Sequence, residues 1–201
     1  MRGWLILLLL AAALPTAAQT VESDPVGPVQ ARGVRHFEIA FEYGFWVFTD
    51  RQAGTEWTEA APQGSELDLE TSPALGLGLA WSAGENLRLG LRAGHQATRL
   101  LADDPDTTSR TDLTLLHLHL EIEGTFGGGR LRPLVALAGG VTRANAAGAM
   151  AWHYSAAPAV GLHFSVDPRV IARLVLRLPL IWANGDLVVQ QDVAAGVAWR
   201  F

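Results

Sequence analysis

The feature that most constrains this chain is a two-residue alternation of apolar side chains with small or ionisable ones, recurring from Val34 to Phe201. Successive side chains of an extended strand point to opposite faces, so this pattern builds sheets with one greasy face, whereas a helix would scatter it around a cylinder. It first appears where Phe37, Ile39, Phe41, Tyr43, Phe45 and Val47 alternate with His36, Glu38, Ala40, Glu42 and Gly44. Leu75, Leu77, Leu79 and Trp81 repeat it opposite Gly76, Gly78, Ala80 and Ser82. A turn at Ala83-Gly84-Glu85-Asn86 follows, and Leu87, Leu89, Leu91 and Ala93 then alternate with Arg88, Gly90, Arg92 and Gly94, which predicts a hairpin.

Beyond a polar stretch from Thr98 to Arg110, Leu116, Leu118, Leu120 and Ile122 take one face and His117, His119, Glu121 and Glu123 the other. Four more runs lie at Leu131 to Thr142, Trp152 to Val166, Val170 to Trp182 and on to Phe201. They are separated by a loop from Arg143 to Ala151, a turn at Asp167-Pro168 and a turn at Ala183-Asn184-Gly185. The count is eight strands and no helix.

Composition says where the apolar face must go. Of 201 residues, 49% are hydrophobic and only 17% charged, against about a quarter charged in an average soluble domain. Outside the N-terminus the apolar residues are dispersed, not gathered into the runs of about 20 that a membrane helix needs. A disordered chain is excluded by the same hydrophobicity and by a net charge of only −5. With no cysteine there is neither a disulfide framework nor a thiolate metal site. All 15 basic residues are Arg, but they form no cluster, and the mild acidity argues against a nucleic-acid partner.

Residues 1–18 have the form of a secretory signal peptide: Arg2, then the apolar stretch Trp4 to Leu14, then Pro15-Thr16-Ala17-Ala18 as a cleavage region. Residues 19–33, with Pro25, Gly27, Pro28 and Gly33, are expected to form a periplasmic linker, and 34–201 a single barrel domain.

A soluble sandwich would also alternate, but its strands average 5–6 residues, and these runs reach roughly 10 to 15. The second face holds Gly, Ala and ionisable residues, which suits the crowded interior of a narrow barrel. Apolar outside and polar inside makes sense only with lipid outside. Connections alternate long and short, as in a barrel with long exterior loops and short periplasmic turns. Trp81 and Trp199 fall at expected periplasmic strand ends, Trp152 and Trp182 at exterior ends, where interfacial aromatic girdles lie.

The final segment, Val193-Ala194-Ala195-Gly196-Val197-Ala198-Trp199-Arg200-Phe201, resembles the C-terminal signal of outer-membrane barrels, with Val193, Val197, Trp199 and Phe201 as its apolar positions. Arg132-Pro133-Leu134 and Asp167-Pro168 are similar to generic barrel features. On these residues the chain resembles the small eight-stranded outer-membrane β-barrel superfamily of outer-membrane protein A and protein X transmembrane domains. That implies an all-β, antiparallel up-and-down transmembrane barrel in the bacterial outer membrane, exported by the Sec pathway and inserted by the barrel assembly machinery. The superfamily includes anchors, adhesins, small channels and lipid A enzymes.

Ionisable residues on the polar face form the expected lumen network: Glu38, Glu42, Arg88, Arg92, His117, His119, Glu121, Arg173, Arg177, Asp192 and Arg200. In a low-dielectric interior they must pair. Two His-x-Ser sequences, His153-Tyr154-Ser155 and His163-Phe164-Ser165, resemble the motif of lipid A deacylase. No Asn follows either Ser, and both pairs point to the lumen, so no catalytic residue is assigned. His117 and His119 share a face but have no third ligand, so neither metal nor cofactor is expected. Asp103, Asp104, Asp106, Glu56, Glu59, Glu66, Asp68 and Glu70 make the exterior loops acidic, where divalent cations would bridge them to lipopolysaccharide phosphates or water would solvate them. The expected role is structural or surface-interacting, monomeric and non-enzymatic, with outer-membrane lipid and lipopolysaccharide as partners. A narrow channel for small solutes and a lipid A-modifying enzyme stand as alternatives.

Overall fold

The computed structural model describes residues 36–48, 52–53, 66–69, 71–84, 86–104 and 107–201. The expected leader and linker, at residues 1–33, lie outside them. Every helix-or-strand element among the described residues is a strand: β1 (Phe37–Phe48), β2 (Gln52–Ala53), β3 (Glu66–Leu69), β4 (Ser72–Ser82), β5 (Leu87–Asp104), β6 (Thr107–Thr125), β7 (Leu131–Ala146), β8 (Ala149–Ser165), β9 (Val170–Arg177), β10 (Leu180–Ala183) and β11 (Asp186–Arg200). Each long strand pairs antiparallel with its sequence neighbour, and β1 pairs with both β4 and β11, so the sheet closes on itself. With β9 and β10 as two halves of one stave, this is an eight-stranded up-and-down barrel. Closure removes the exposed edges of an open sheet.

Strand boundaries depart from expectation in four places. The polar stretch from Thr98 to Arg110 is wall, not loop, since β5 runs to Asp104 and β6 starts at Thr107. Asp103 and Asp104 therefore stand in a strand, while Asp106, Glu56, Glu59 and Glu70 lie outside the described residues. The expected loop from Arg143 to Ala151 is a tight hairpin turning on Ala147 and Gly148, both at positive φ (51° and 82°). Asn184-Gly185 turns the same way (47° and 99°). Such two-residue turns match the strand twist; Asn-Gly announces one in sequence, and Ala-Gly does not. The stretch after Phe48, expected as loop, contains β2 and β3, and β3 lengthens the wall against β5.

The fourth departure is a break in the stave from Val170 to Ala183 at Leu178-Pro179. Pro158 lies opposite on β8, and neither proline has an N–H to donate. The ladder is carried around them by Leu178 N donating to Pro158 O (2.9 Å) and Gln190 N donating to Pro179 O (2.9 Å).

Burial follows the alternation with the sense inverted relative to a soluble protein. Leu120 on the outer surface is 71% exposed, whereas Arg177 inside is 2% exposed. Both chain ends of the barrel meet at one end, where Phe201 N donates to Phe37 O. The hairpins at Ala147-Gly148 and Asn184-Gly185 close the far end.

Candidate functional site: the lumen

Strand register decides which inward side chains share a layer. One inward row runs from Arg173 through Gly196, Glu42, Gly76, Gly94, His117 and Thr142 to His153. Its large residues stand beside glycines, and that space is used. A Cβ on Gly76 would lie 3.3 Å from the Glu42 carboxylate and 3.4 Å from an Arg92 guanidinium nitrogen. One on Gly196 would meet Phe41 O at 2.5 Å. The glycines of the polar face are thus what lets Glu42 and Arg92 lie across the wall.

Five guanidinium groups and five carboxylates meet in this space. Glu42 accepts from Arg177 (2.8 Å) and Arg92 (3.1 Å) and stands 3.8 Å from Arg173. Asp192 accepts from Arg177 at 3.2 Å and Arg92 at 3.5 Å. Towards the chain ends, Glu38 holds Arg88 (3.2 Å) and Arg200 (2.9 Å). Glu121 is 3.8 Å from Arg173 and 4.0 Å from Arg177. Isolated buried charges cost several kcal/mol, and shared hydrogen bonds on both sides are what make such a cluster tenable.

Two important members were not in the expected network, though alternation puts both on its face. Glu123 continues the spacing of His117, His119 and Glu121, and it pairs with Arg88 at 2.8 Å and with Arg173. His163 is buried with its Nδ1 3.0 Å from Arg88 Nη1, and its other nitrogen 3.4 Å from Glu123.

His117 and His119 are inside, as expected, but they belong to a hydroxyl chain and not to the ion-pair cluster. Their rings are 5.8 Å apart. His117 Nδ1 lies 2.7 Å from Thr142 Oγ1, which donates to Ser155 Oγ (2.9 Å), itself 2.7 Å from His119 Nε2. The chain is consistent throughout if His117 donates from Nδ1 and His119 accepts at Nε2. Gly140, between His119 and Ser155 in the register, makes room for it, since a Cβ there would collide with Leu118 O and stand 3.0 Å from the His119 ring.

The His-x-Ser pairs do not assemble as such. Ser155 is bonded to Thr142 and His119, not to His153, and His153, Ser155 and His163 are all buried in the lumen, away from the outer face. Among the described residues no group of three His, Asp or Glu is placed to hold a metal.

Two small cavities lie along the inward face of β1, β4 and β5, and the one beside Gly44, Gly94, Asp192 and Ala194 has no room for a water. The other, beside Glu38, Glu42, Arg92, Glu121 and Arg173, measures about 20 Å³, enough for about one water. Towards the far end the inward faces of β6, β7, β10 and β11 carry an apolar cluster of Leu113, Leu115, Ala144, Ala146, Ile181, Ala183 and Val188, which the expectation of a polar lumen missed, while Ser72, Gln96, Thr98 and Gln190 are buried beside it. Of the four tryptophans expected in the aromatic girdles, Trp152, Trp182 and Trp199 are exposed on the outer wall and Trp81 is half-buried. Trp199 packs edge-on against Phe41 at 6.2 Å near the chain ends, and Trp152 and Trp182 lie towards the far end.

No protein-family model and no curated protein matches the sequence. Solved structures do match the fold. The chain is similar to outer membrane protein OprG from Pseudomonas aeruginosa (TM-score 0.61, 13% identity, 87% of this chain and 99% of that chain). It is similar to Neisserial surface protein A (0.57, 12% identity, 83% and 97%). It is also similar to Outer Membrane Protein W of E. coli (0.52, 16% identity, 85% and 100%). A closed antiparallel barrel of eight staves, apolar outside and ion-paired inside, together with these likenesses, gives the chain the fold of the small eight-stranded outer-membrane β-barrels.

Proposed function

We propose that this chain is an exported protein of the bacterial outer membrane whose barrel is a non-conducting, non-enzymatic scaffold, presenting the far-end hairpins to the cell exterior. The observation that carries this reading is the set of ion pairs that span the lumen, Glu42 with Arg92 and Arg177 and Glu123 with Arg88 and Arg173. A solute path would need an open passage, and side chains paired across the interior from opposite staves speak against one. The polar inward position of both His-x-Ser serines speaks against a lipid A enzyme, whose reacting groups must meet lipid. On this reading the partners are outer-membrane lipid and lipopolysaccharide, with the assembly machinery recognising Val193, Val197, Trp199 and Phe201, all outward or terminal on the last stave. The barrel works as a monomer.

Planar-bilayer recording of the purified full chain tests it. The expected result is no stable unitary step. A reproducible step that changes when Arg88 and Arg92 are neutralised would establish the channel alternative, and altered lipid A in an overexpressing strain would establish the enzyme.

A further inference from the structure

The outer wall carries a groove of about 660 Å³ across the staves β11, β1, β4, β5 and β6. Ala93 and Ala195 face outward there among much larger neighbours, and the backbone of Gly94 and Gly196 completes the floor. Phe41, Tyr43, Trp199, Leu75, Leu77 and Leu116 form its walls. Such a channel of hydrocarbon on a lipid-facing surface has the shape and chemistry of an acyl-chain seat.

One ionisable side chain lines the groove from outside. His95 is exposed, follows Ala93 on the outward face of β5, and is paired across the sheet with Leu75 and Leu116. Leu116 is paired in turn with Arg143, which also points outward, opposite Trp152. The two side chains are therefore two staves apart, about 10 Å at the usual strand spacing. They stand at a particular height. Within β6 the apolar positions change from inward (Leu113, Leu115) to outward (Leu116, Leu118, Leu120) between Leu115 and Leu116. That change of face marks where outer hydrocarbon gives way to polar surroundings. Basic and hydrogen-bonding groups at the level where hydrocarbon ends meet the phosphates of lipid head groups from outside.

We propose that this groove is a binding site for one phosphorylated glycolipid of the outer leaflet, with an acyl chain along Ala93 and Ala195 and a phosphate held by His95 and Arg143. The choice of a glycolipid over a phospholipid rests on the reading above, that the far end faces the cell exterior. The glycolipid approaches from that side, and its phosphates lie next to the acyl chains they accompany. Arg99 is already engaged by Asp112 at 3.5 Å and stands two levels higher, so it is not part of the seat.

The test uses the full chain in nanodiscs of zwitterionic phosphatidylcholine doped with bis-phosphorylated lipid A, enzymatically dephosphorylated lipid A or phosphatidylglycerol, with retained lipid counted by native mass spectrometry. One lipid A per barrel is expected, favoured about fivefold over the dephosphorylated form, as one cationic contact of about 1 kcal/mol from Arg143 would provide. His95→Leu with Arg143→Leu should abolish that preference, Ala93→Leu with Ala195→Leu should lower retention of both forms, and Arg130→Leu at the opposite end should change nothing. Equal retention of the two lipid A forms, equal retention of phosphatidylglycerol, or an unaltered preference in the His95/Arg143 variant would overturn the site. Heat-dependent gel mobility checks that each variant is folded, and if a variant fails it, the lipid competition on the unmodified chain decides. Failure here with an intact barrel in the outer-membrane fraction removes only this site, whereas recovery in a soluble fraction removes the reading on which it rests.

Discussion

The two halves of β6 send opposite chemistry into the lumen. Near the chain ends, β6 sends His119, Glu121 and Glu123 inward and Leu118, Leu120 and Ile122 outward; nearer the far end it sends Leu113 and Leu115 inward and Asp112 and Thr114 outward. The same exchange occurs on β7, where outward Val135, Leu137 and Val141 give way to outward Arg143 and Asn145 over inward Ala144 and Ala146. The strand never changes its parity, so the exchange records a change of solvent. In the first half the outside is hydrocarbon and the charges must find each other within. In the second half β6 and β7 turn polar side chains outward and apolar ones inward, the pattern of a sheet that meets water outside, while Trp152, Trp182 and Leu187 keep the outer surface of β8, β10 and β11 apolar. The exposed Arg99–Asp112 pair belongs to this second regime.

The comparison can be broken at three levels. The largest effect is expected in the ion-pair half: Glu42→Ala leaves Arg177 and Arg92 to share Asp192 and should cost about 3–5 kcal/mol, read as a loss of heat-modifiable folded barrel or a lower urea midpoint in detergent. An unchanged midpoint would mean that water enters to solvate the guanidinium groups, and the closed-lumen reading would fall with it. In the apolar half, Leu115→Ala should cost about 2–4 kcal/mol by leaving a cavity in the far-end cluster. Because the ion pairs below remain, the same variant should still show no bilayer conductance. The smallest effect is on the surface. Asp112→Ala should change stability by less than about 1 kcal/mol, and by less still in high salt, because the pair is exposed to solvent. A salt-independent loss of the size expected for Glu42 would place that pair in the low-dielectric regime and move the boundary between the two halves.

Much of this was legible in the sequence, and for specific reasons. A period of two assigns each residue to a face without knowledge of its partners, so Glu38, Glu42, Arg88, Arg92, Arg173, Arg177 and Asp192 could be named as interior before any pairing was known. The adjacent leucines Leu115 and Leu116 even carry the change of solvent. The far-end core was missed because alanine is ambiguous: Ala144, Ala146 and Ala183 read equally well as loop or as inward wall. The long hairpins were missed because Asp103 and Asp104 look like turn residues until β6 is seen beside them. The turn at Ala147-Gly148 was hidden because alanine rarely takes positive φ.

What the sequence by itself determined, then, is the direction of the side chains within the alternating runs, because alternation is a local property of extended backbone. It also determined that the wall should close, because so apolar an outer face with so few charges has no stable open form in water. Only the tertiary structure decided who meets whom across the lumen. Arg177 reaches Glu42 from 135 residues away and Arg200 reaches Glu38 from 162. Those meetings depend on strand tilt and register around a closed ring. They are properties of the whole barrel, and no local pattern in the chain encodes them.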